Sequence, residues 1–229
     1  MTTTPSNRTI AIVAAALVVA AALGYWGYSS HKKKLELQRS VVALMADTSV
    51  RLRDALGIEI AHRATDRAMF IKKLDEHAAA ADHNLQALKR LGSAPGQALV
   101  DAADDYLLTT REILKKQLDA HRYRLLLADS SQALLDHMRA DNRTGAWIQE
   151  AVKAKERVNK DYRGYSLAAG ALDKLLDSFA ASQAKIVPHV APAAIIPETL
   201  AAEARRRARD DSRQAALEFE KLQQPGAAR

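Results

Sequence analysis

Apolar residues recur along most of this chain at steps of three and four, the spacing that lines one face of an amphipathic helix. Over residues 35–91 there is no proline and one glycine, Gly57, while Phe70, Leu74, Ala78, Ala81, Leu85 and Leu88 fall on one stripe. A single internal glycine costs a helix about 1 kcal/mol and does not end it. The pattern predicts one helix over the whole stretch, roughly 85 Å long. "LGSAPGQ" at residues 91–97 supplies the stop, with Gly92 as a left-handed cap, Ser93 as the next N-cap and Pro95 in the first turn that follows.

A second helix then runs to about Arg139, with Leu99, Ala103, Tyr106, Ile113, Leu118, Leu125 and Leu135 on its stripe. "RADNRTGAW" at 139–147 is the next turn. The third helix, 145–186, has the cleanest seam: Ile148, Val152, Lys155, Val158, Tyr162, Tyr165, Ala169, Leu172, Leu176, Phe179, Gln183 and Ile186. Its alternating steps of three and four match coiled-coil packing. "VPHVAPAAIIPETL", 187–200, carries three prolines and cannot be helical throughout; its apolar residues predict packing along the bundle. Pro197 and Glu198 open a last helix to about Leu222, with Leu200, Ala204, Ala208, Ala215, Phe219 and Leu222 on one face.

Short connections between long helices force antiparallel neighbours. The expected fold is all-α: an elongated antiparallel bundle of about four long helices over residues 30–223, with a disordered tail at 224–229. Composition agrees, because aromatics are only 5% of the 229 residues and much of the apolar share is alanine, which suits close-packed helices.

The loudest segment lies ahead of the bundle. Residues 9–28 hold 20 positions without a charge, roughly 30 Å of helix and the thickness of a bilayer's hydrocarbon core. Ile10, Ile12, Val13, Leu17, Val18, Val19 and Leu23 favour insertion by about 2–4 kcal/mol in sum. Tyr25, Trp26 and Tyr28 follow as an interfacial belt, and Lys32, Lys33 and Lys34 stand where they reach headgroups. The competing reading is an export signal cut after "AAA" at 20–22. The aromatics favour the uncleaved anchor, expected over 9–29 behind a short polar tail at 1–8. Counting cations puts the bundle in the cytoplasm; the signal-like character of the segment puts it in the periplasm, and the second is the expectation adopted.

Net charge is +7, but the densest basic run, "EARRRARDDSR" at 203–213, contains three acids. That dilution argues against nucleic acid. There is no cysteine, hence no disulfide, thiolate metal site or thiol nucleophile. "EIAH", 59–62, has the Glu-x-x-His spacing of di-iron bundles, but no second copy exists, and such sites need two. His77 and His121 lie on apolar stripes and Tyr162 and Tyr165 on the third seam, four residues that could line a small ligand pocket. No phosphate loop, nucleophile elbow or zinc motif is present, so neither an enzyme nor a cofactor is expected.

The expected function is that of a non-catalytic scaffold or accessory subunit, anchored once in a bacterial inner membrane. Its expected partners are the lipid bilayer and a membrane or periplasmic protein, or itself as a homodimer. Val190, Pro192, Ile195, Ile196 and Pro197 are the expected partner surface. The alternative is an extracytoplasmic ligand-binding sensory module. In layout the chain resembles the four-helix sensory domain of bacterial chemoreceptors, which implies signalling through a partner because no second span exists here. It also resembles the inner-membrane member of a phage lysis pair, again in layout alone.

Overall fold

The computed structural model describes residues 7–61, 63–91, 96–140 and 144–224, with side chains from Tyr28 onward and Ala64 by backbone alone. Five α-helices and no strand occur among the described residues: α1 (Asn7–Ala61), α2 (Arg67–Leu91), α3 (Gln97–Arg139), α4 (Gly145–Ile186) and α5 (Glu198–Gln223). Short 3-10 turns lie at Ala64–Asp66 and Pro192–Ala194.

The helix expected across 35–91 is two helices. The chain turns between Ala61 and Arg67, and Thr65 and Asp66, residue types that favour helix starts, sit just ahead of α2. The other boundaries fall within a few residues of expectation. Gly96, at φ +140°, caps α3, a backbone conformation glycine reaches without strain; α3 therefore begins after Pro95, at Gln97. Thr144 caps α4 by accepting a hydrogen bond from the Trp147 amide at 3.3 Å. Residues 1–6, 62, 92–95, 141–143 and 225–229 are outside the described residues, and with them most of both expected tails, the Gly92 and Ser93 caps and His62.

Cross-helix bonds give the directions. Ser49 meets Tyr106 at 2.7 Å and Glu59 meets His121 at 3.0 Å, so α1 and α3 run parallel. Arg111 and Arg122 of α3 reach Asp82 and Asp75 of α2, and Ser182 and Trp147 of α4 reach Asp105 and His137 of α3, so both of those pairs are antiparallel. Tyr165 to Asp211 and Asn159 to Gln223 set α5 antiparallel to α4. The order is up, down, up, down, up.

Two cores follow. The larger lies among all five helices, from Val41, Met45, Leu52 and Leu56 of α1 through Leu74 and Leu85, Tyr106 and Ile113, Leu176 and Phe179, to Ala204 and Ala208. Full burial stabilises each large apolar side chain by about 1.5–3 kcal/mol. The smaller uses only α3, α4 and α5: Leu127, Leu134, Val158, Tyr165 and Ala215, with Tyr162 stacked on Phe219 at 4.0 Å between ring centroids. The bundle is thick where α1 and α2 flank it and thin beyond their connecting turn.

The proline-rich connection is clamped, not free. Gln183 bonds both the amide and the carbonyl of Ile196 at 2.9 Å, and Arg53 donates to the carbonyls of Ala193 and Ile195. Val190 and Ile196 are thereby buried in the larger core. This corrects their assignment to an outer partner surface. Pro192 and Pro197 remain exposed and Ile195 half-buried.

The anchor expected over 9–29 lies outside the described side chains except for Tyr28 and Ser29. Over the described residues no helix is long and apolar enough to cross a membrane. The backbone of α1 is nonetheless a single 55-residue helix that carries the uncharged run directly into the bundle.

Candidate functional site

Where the two cores meet, charged and polar side chains converge from every helix. Each stands at an inward position of its helix, so folding buries it with its neighbours. Glu59 comes from the last turn of α1, Arg67 from the first turn of α2, Gln117, His121 and Arg124 from the middle of α3, Tyr165 from α4 and Asp211 from α5.

Glu59 Oε2 accepts from Gln117 Nε2 at 2.9 Å and lies 3.0 Å from His121 Nε2. Gln117 also donates to the Ala55 carbonyl at 2.8 Å. Arg67 Nη1 faces His121 Nδ1 at 3.3 Å, and its Nη2 donates to Asp211 Oδ1 at 3.2 Å. An arginine only donates, so His121 Nδ1 must accept, which leaves the ring proton on Nε2, aimed at Glu59. Tyr165 donates to Asp211 Oδ2 at 2.9 Å. Arg124 lies 3.6 Å from Asp211 and donates to Glu218 at 2.6 Å toward the rim.

Buried cations and anions alternate across the junction. Asp211 faces both Arg67 and Arg124, Arg124 also meets Glu218, and Glu59 faces His121; the two arginine side chains are 7% and 9% exposed. Burial by itself raises the Asp211 carboxyl; the Arg67 and Arg124 guanidiniums, with the hydrogen bond from Tyr165, outweigh it and hold Asp211 below its ordinary value. Burial, then the adjacent Asp211 carboxylate, pushes the Tyr165 hydroxyl well above the ordinary tyrosine range. Tyr165 is therefore a fixed donor at any physiological pH.

Of the four expected pocket residues, the fold brings His121 and Tyr165 together around one small cavity shared with Glu59, Arg67 and Asp211. Its volume, about 10 Å³, holds one water molecule at most. His77 is elsewhere, half-buried on α2; burial lowers its pKa, while Asp54 acts in the opposite direction. Tyr162 packs on Phe219 in the smaller core. Among the described residues no group of three His, Asp or Glu side chains is placed to hold a metal. Glu59 of the "EIAH" motif turns to His121.

Arg67, Arg124 and Asp211 sit in runs rich in surface charge, which hides them among solvated residues. A signal existed for Asp211: with Ala204, Ala208 and Ala215 it keeps the four-three-four step of the buried stripe.

Two surface grooves lie outside this junction. One, about 550 Å³ between α4 and α5, has Leu176, Phe179 and Ile196 as its floor and four arginines on its rim. Those arginines are paired: Arg205 with Asp173 and Asp177, Arg209 with Asp173, Arg206 with Glu203, and Arg213 with Asp210. The other, about 410 Å³, is apolar and sits at the thin end among Leu134, Met138, Trp147, Ile148, Val152 and Leu222. Gln223 is level with Asn159, so the first 20 Å or so of α4 extends past the end of α5. Ile148 and Val152 of the predicted seam are consequently 55% and 53% exposed.

Comparison with known proteins finds no matching family model, no matching characterised protein and no matching solved structure.

Proposed function

We propose that this chain is a single-pass, membrane-anchored bundle that serves as a structural or interaction subunit of a membrane-associated assembly and performs no chemistry of its own. The observation that carries this reading is α1. One helix runs from Asn7 to Ala61; its first half contains the uncharged run, and its second half contributes Val41, Met45, Leu52 and Leu56 to the larger core. With no break between the two halves, the body is set on its tether without a hinge.

The junction supports the same reading. Buried charge that is mutually neutralised is a weak source of net stability, and its best-attested use is to fix one arrangement of elements. Here it locks the register of five helices at one level, which suits a rod that holds neighbours at a set height. A cavity of about 10 Å³ offers a sensory ligand no room, so the ligand-binding alternative gains nothing from it.

The same reading places the bundle on the periplasmic side of a bacterial inner membrane, with another envelope protein or a second copy as partner. A C-terminal alkaline phosphatase fusion tests it. Phosphatase activity in the membrane fraction is the expected result. An inactive fusion would move the bundle to the cytoplasm, and an active fusion released to the soluble fraction would remove the anchor.

A further inference from the structure

Below the bundle, α1 stands alone. Among the described side chains Val41 is its first fully buried residue, and every position from 30 to 36 is exposed. This bare stretch carries Lys32, Lys33 and Lys34 against the single acid Glu36, and Arg39 is exposed just beyond the half-buried Leu37 and Gln38, so together they hold three of the chain's seven excess positive charges. Among the described residues the stretch's one ion pair, Lys32 to Glu36 at 3.9 Å, joins side chains that are both more than 60% exposed. Such a pair leaves the lysine charge largely available.

The placement of the cations matters more than their number. Successive residues of a helix are rotated by about 100°, so Lys32, Lys33 and Lys34 point three ways, and Arg39, two turns on, falls within about 20° of Lys32, leaving no arc wider than about 140° without a cation. A docking site for a protein would concentrate charge on one side. A ring suits a medium that surrounds the helix. Tyr28, 69% exposed, is one turn before Lys32 on the same side, where an interfacial aromatic belongs.

We infer that Lys32, Lys33, Lys34 and Arg39 form a collar that gathers anionic phospholipid headgroups around the emerging helix. The inference rests on the membrane-anchor reading. The chemistry recognised is a phosphodiester anion, and the source is the lipid layer, because the collar encircles the axis immediately beyond the uncharged run.

The test uses the full chain and its K32Q/K33Q/K34Q variant, reconstituted in phosphatidylcholine vesicles containing about 30% phosphatidylglycerol, with spin-labelled forms of both lipids reporting the boundary layer. All three positions are exposed, so the variant retains the bundle. The expected result is a several-fold preference for phosphatidylglycerol at the boundary at about 50 mM salt, largely lost at about 0.5 M and in the variant. Insertion of both proteins with equal boundary composition would overturn the collar and leave the anchor standing. Failure of the wild-type chain to insert would overturn both. Displacement of the labelled lipid by about 10 mM inorganic phosphate, at constant ionic strength, would assign the cluster to a soluble anion and overturn the lipid source.

Discussion

His121 of α3 donates its Nε2 proton to the Glu59 carboxylate of α1 at 3.0 Å, fastening the end of the leading helix to the middle of the bundle. Arg67 of α2 holds the other face of the same imidazole. One ring thus joins three helices beside the turn that connects α1 to α2.

Glu59→Ala removes the acceptor for both His121 and Gln117. Gln117 keeps the Ala55 carbonyl, so the loss falls mainly on the His121 bond, and unfolding in urea should show a loss of about 1–3 kcal/mol. Glu59→Gln keeps an acceptor oxygen and should recover part of that loss. In the wild-type protein, nitrogen NMR of the imidazole should report the Nε2–H tautomer. A proton on Nδ1 in the neutral ring would contradict the assigned network.

Asp211→Asn withdraws the anion that faces Arg67 and Arg124. Stranding buried charge in this way costs about 3–5 kcal/mol. Tyr165→Phe removes a single hydrogen bond and should cost about 1 kcal/mol, most of it absent in the Asp211→Asn background. Additive losses in that double-mutant cycle would mean the two residues are not coupled.

The acid limb of the stability curve should reflect the paired carboxylates. Hydrogen bonds from Arg209 and Arg205 hold Asp173 down to about 2, and Asp211 is also held below its ordinary value. A carboxylate lowered in the folded state stabilises fully above its unfolded value, near 3.9, and loses that contribution as pH falls toward the folded value. Stability against chemical denaturant should therefore fall as pH drops from about 4 to about 2. Asp173→Asn should shallow that slope by about 1 kcal/mol at most, because Arg209 is half-exposed and water screens the pair. An unchanged slope would show that the surface pairs contribute nothing.

Two glycines of α4 should respond oppositely to alanine. A Cβ at Gly170 meets nothing within 4 Å, so Gly170→Ala should gain up to about 1 kcal/mol of helix propensity. A Cβ at Gly164 would stand 2.5 Å from the Tyr123 ring, so Gly164→Ala must displace that ring from the α3–α4 contact. Thermal unfolding should place Gly170→Ala above wild type and Gly164→Ala below it.

The legible part of the fold was the part governed by local pattern. The seam from Val158 to Ile186, the start of α4 at Gly145 and the opening of α5 at Glu198 were each marked by period, turn chemistry or proline. The turn after Ala61 was missed because Gly57 is absorbed within α1 and the start signal at Thr65 and Asp66 sits inside a continuing apolar period. The junction was half legible. His121 and Tyr165 stood out as polar groups on apolar stripes, whereas Arg67, Arg124 and Asp211 have the same composition as the solvated faces around them. Only the step that Asp211 keeps with Ala204, Ala208 and Ala215 sets one of them apart in sequence; the meeting of five helices distinguishes the rest. The exposed start of the α4 seam had another cause: a period predicts an inward face, and α5 ends too early to cover Ile148 and Val152.

The anchored leading helix is tested most directly by washing membranes from cells that make the full chain with alkaline carbonate, then measuring the intact mass of what remains. A polypeptide that stays with the membrane and still includes the uncharged run from Thr9 to Tyr28 is the predicted result. A washed-off polypeptide that begins near Leu23 would contradict it.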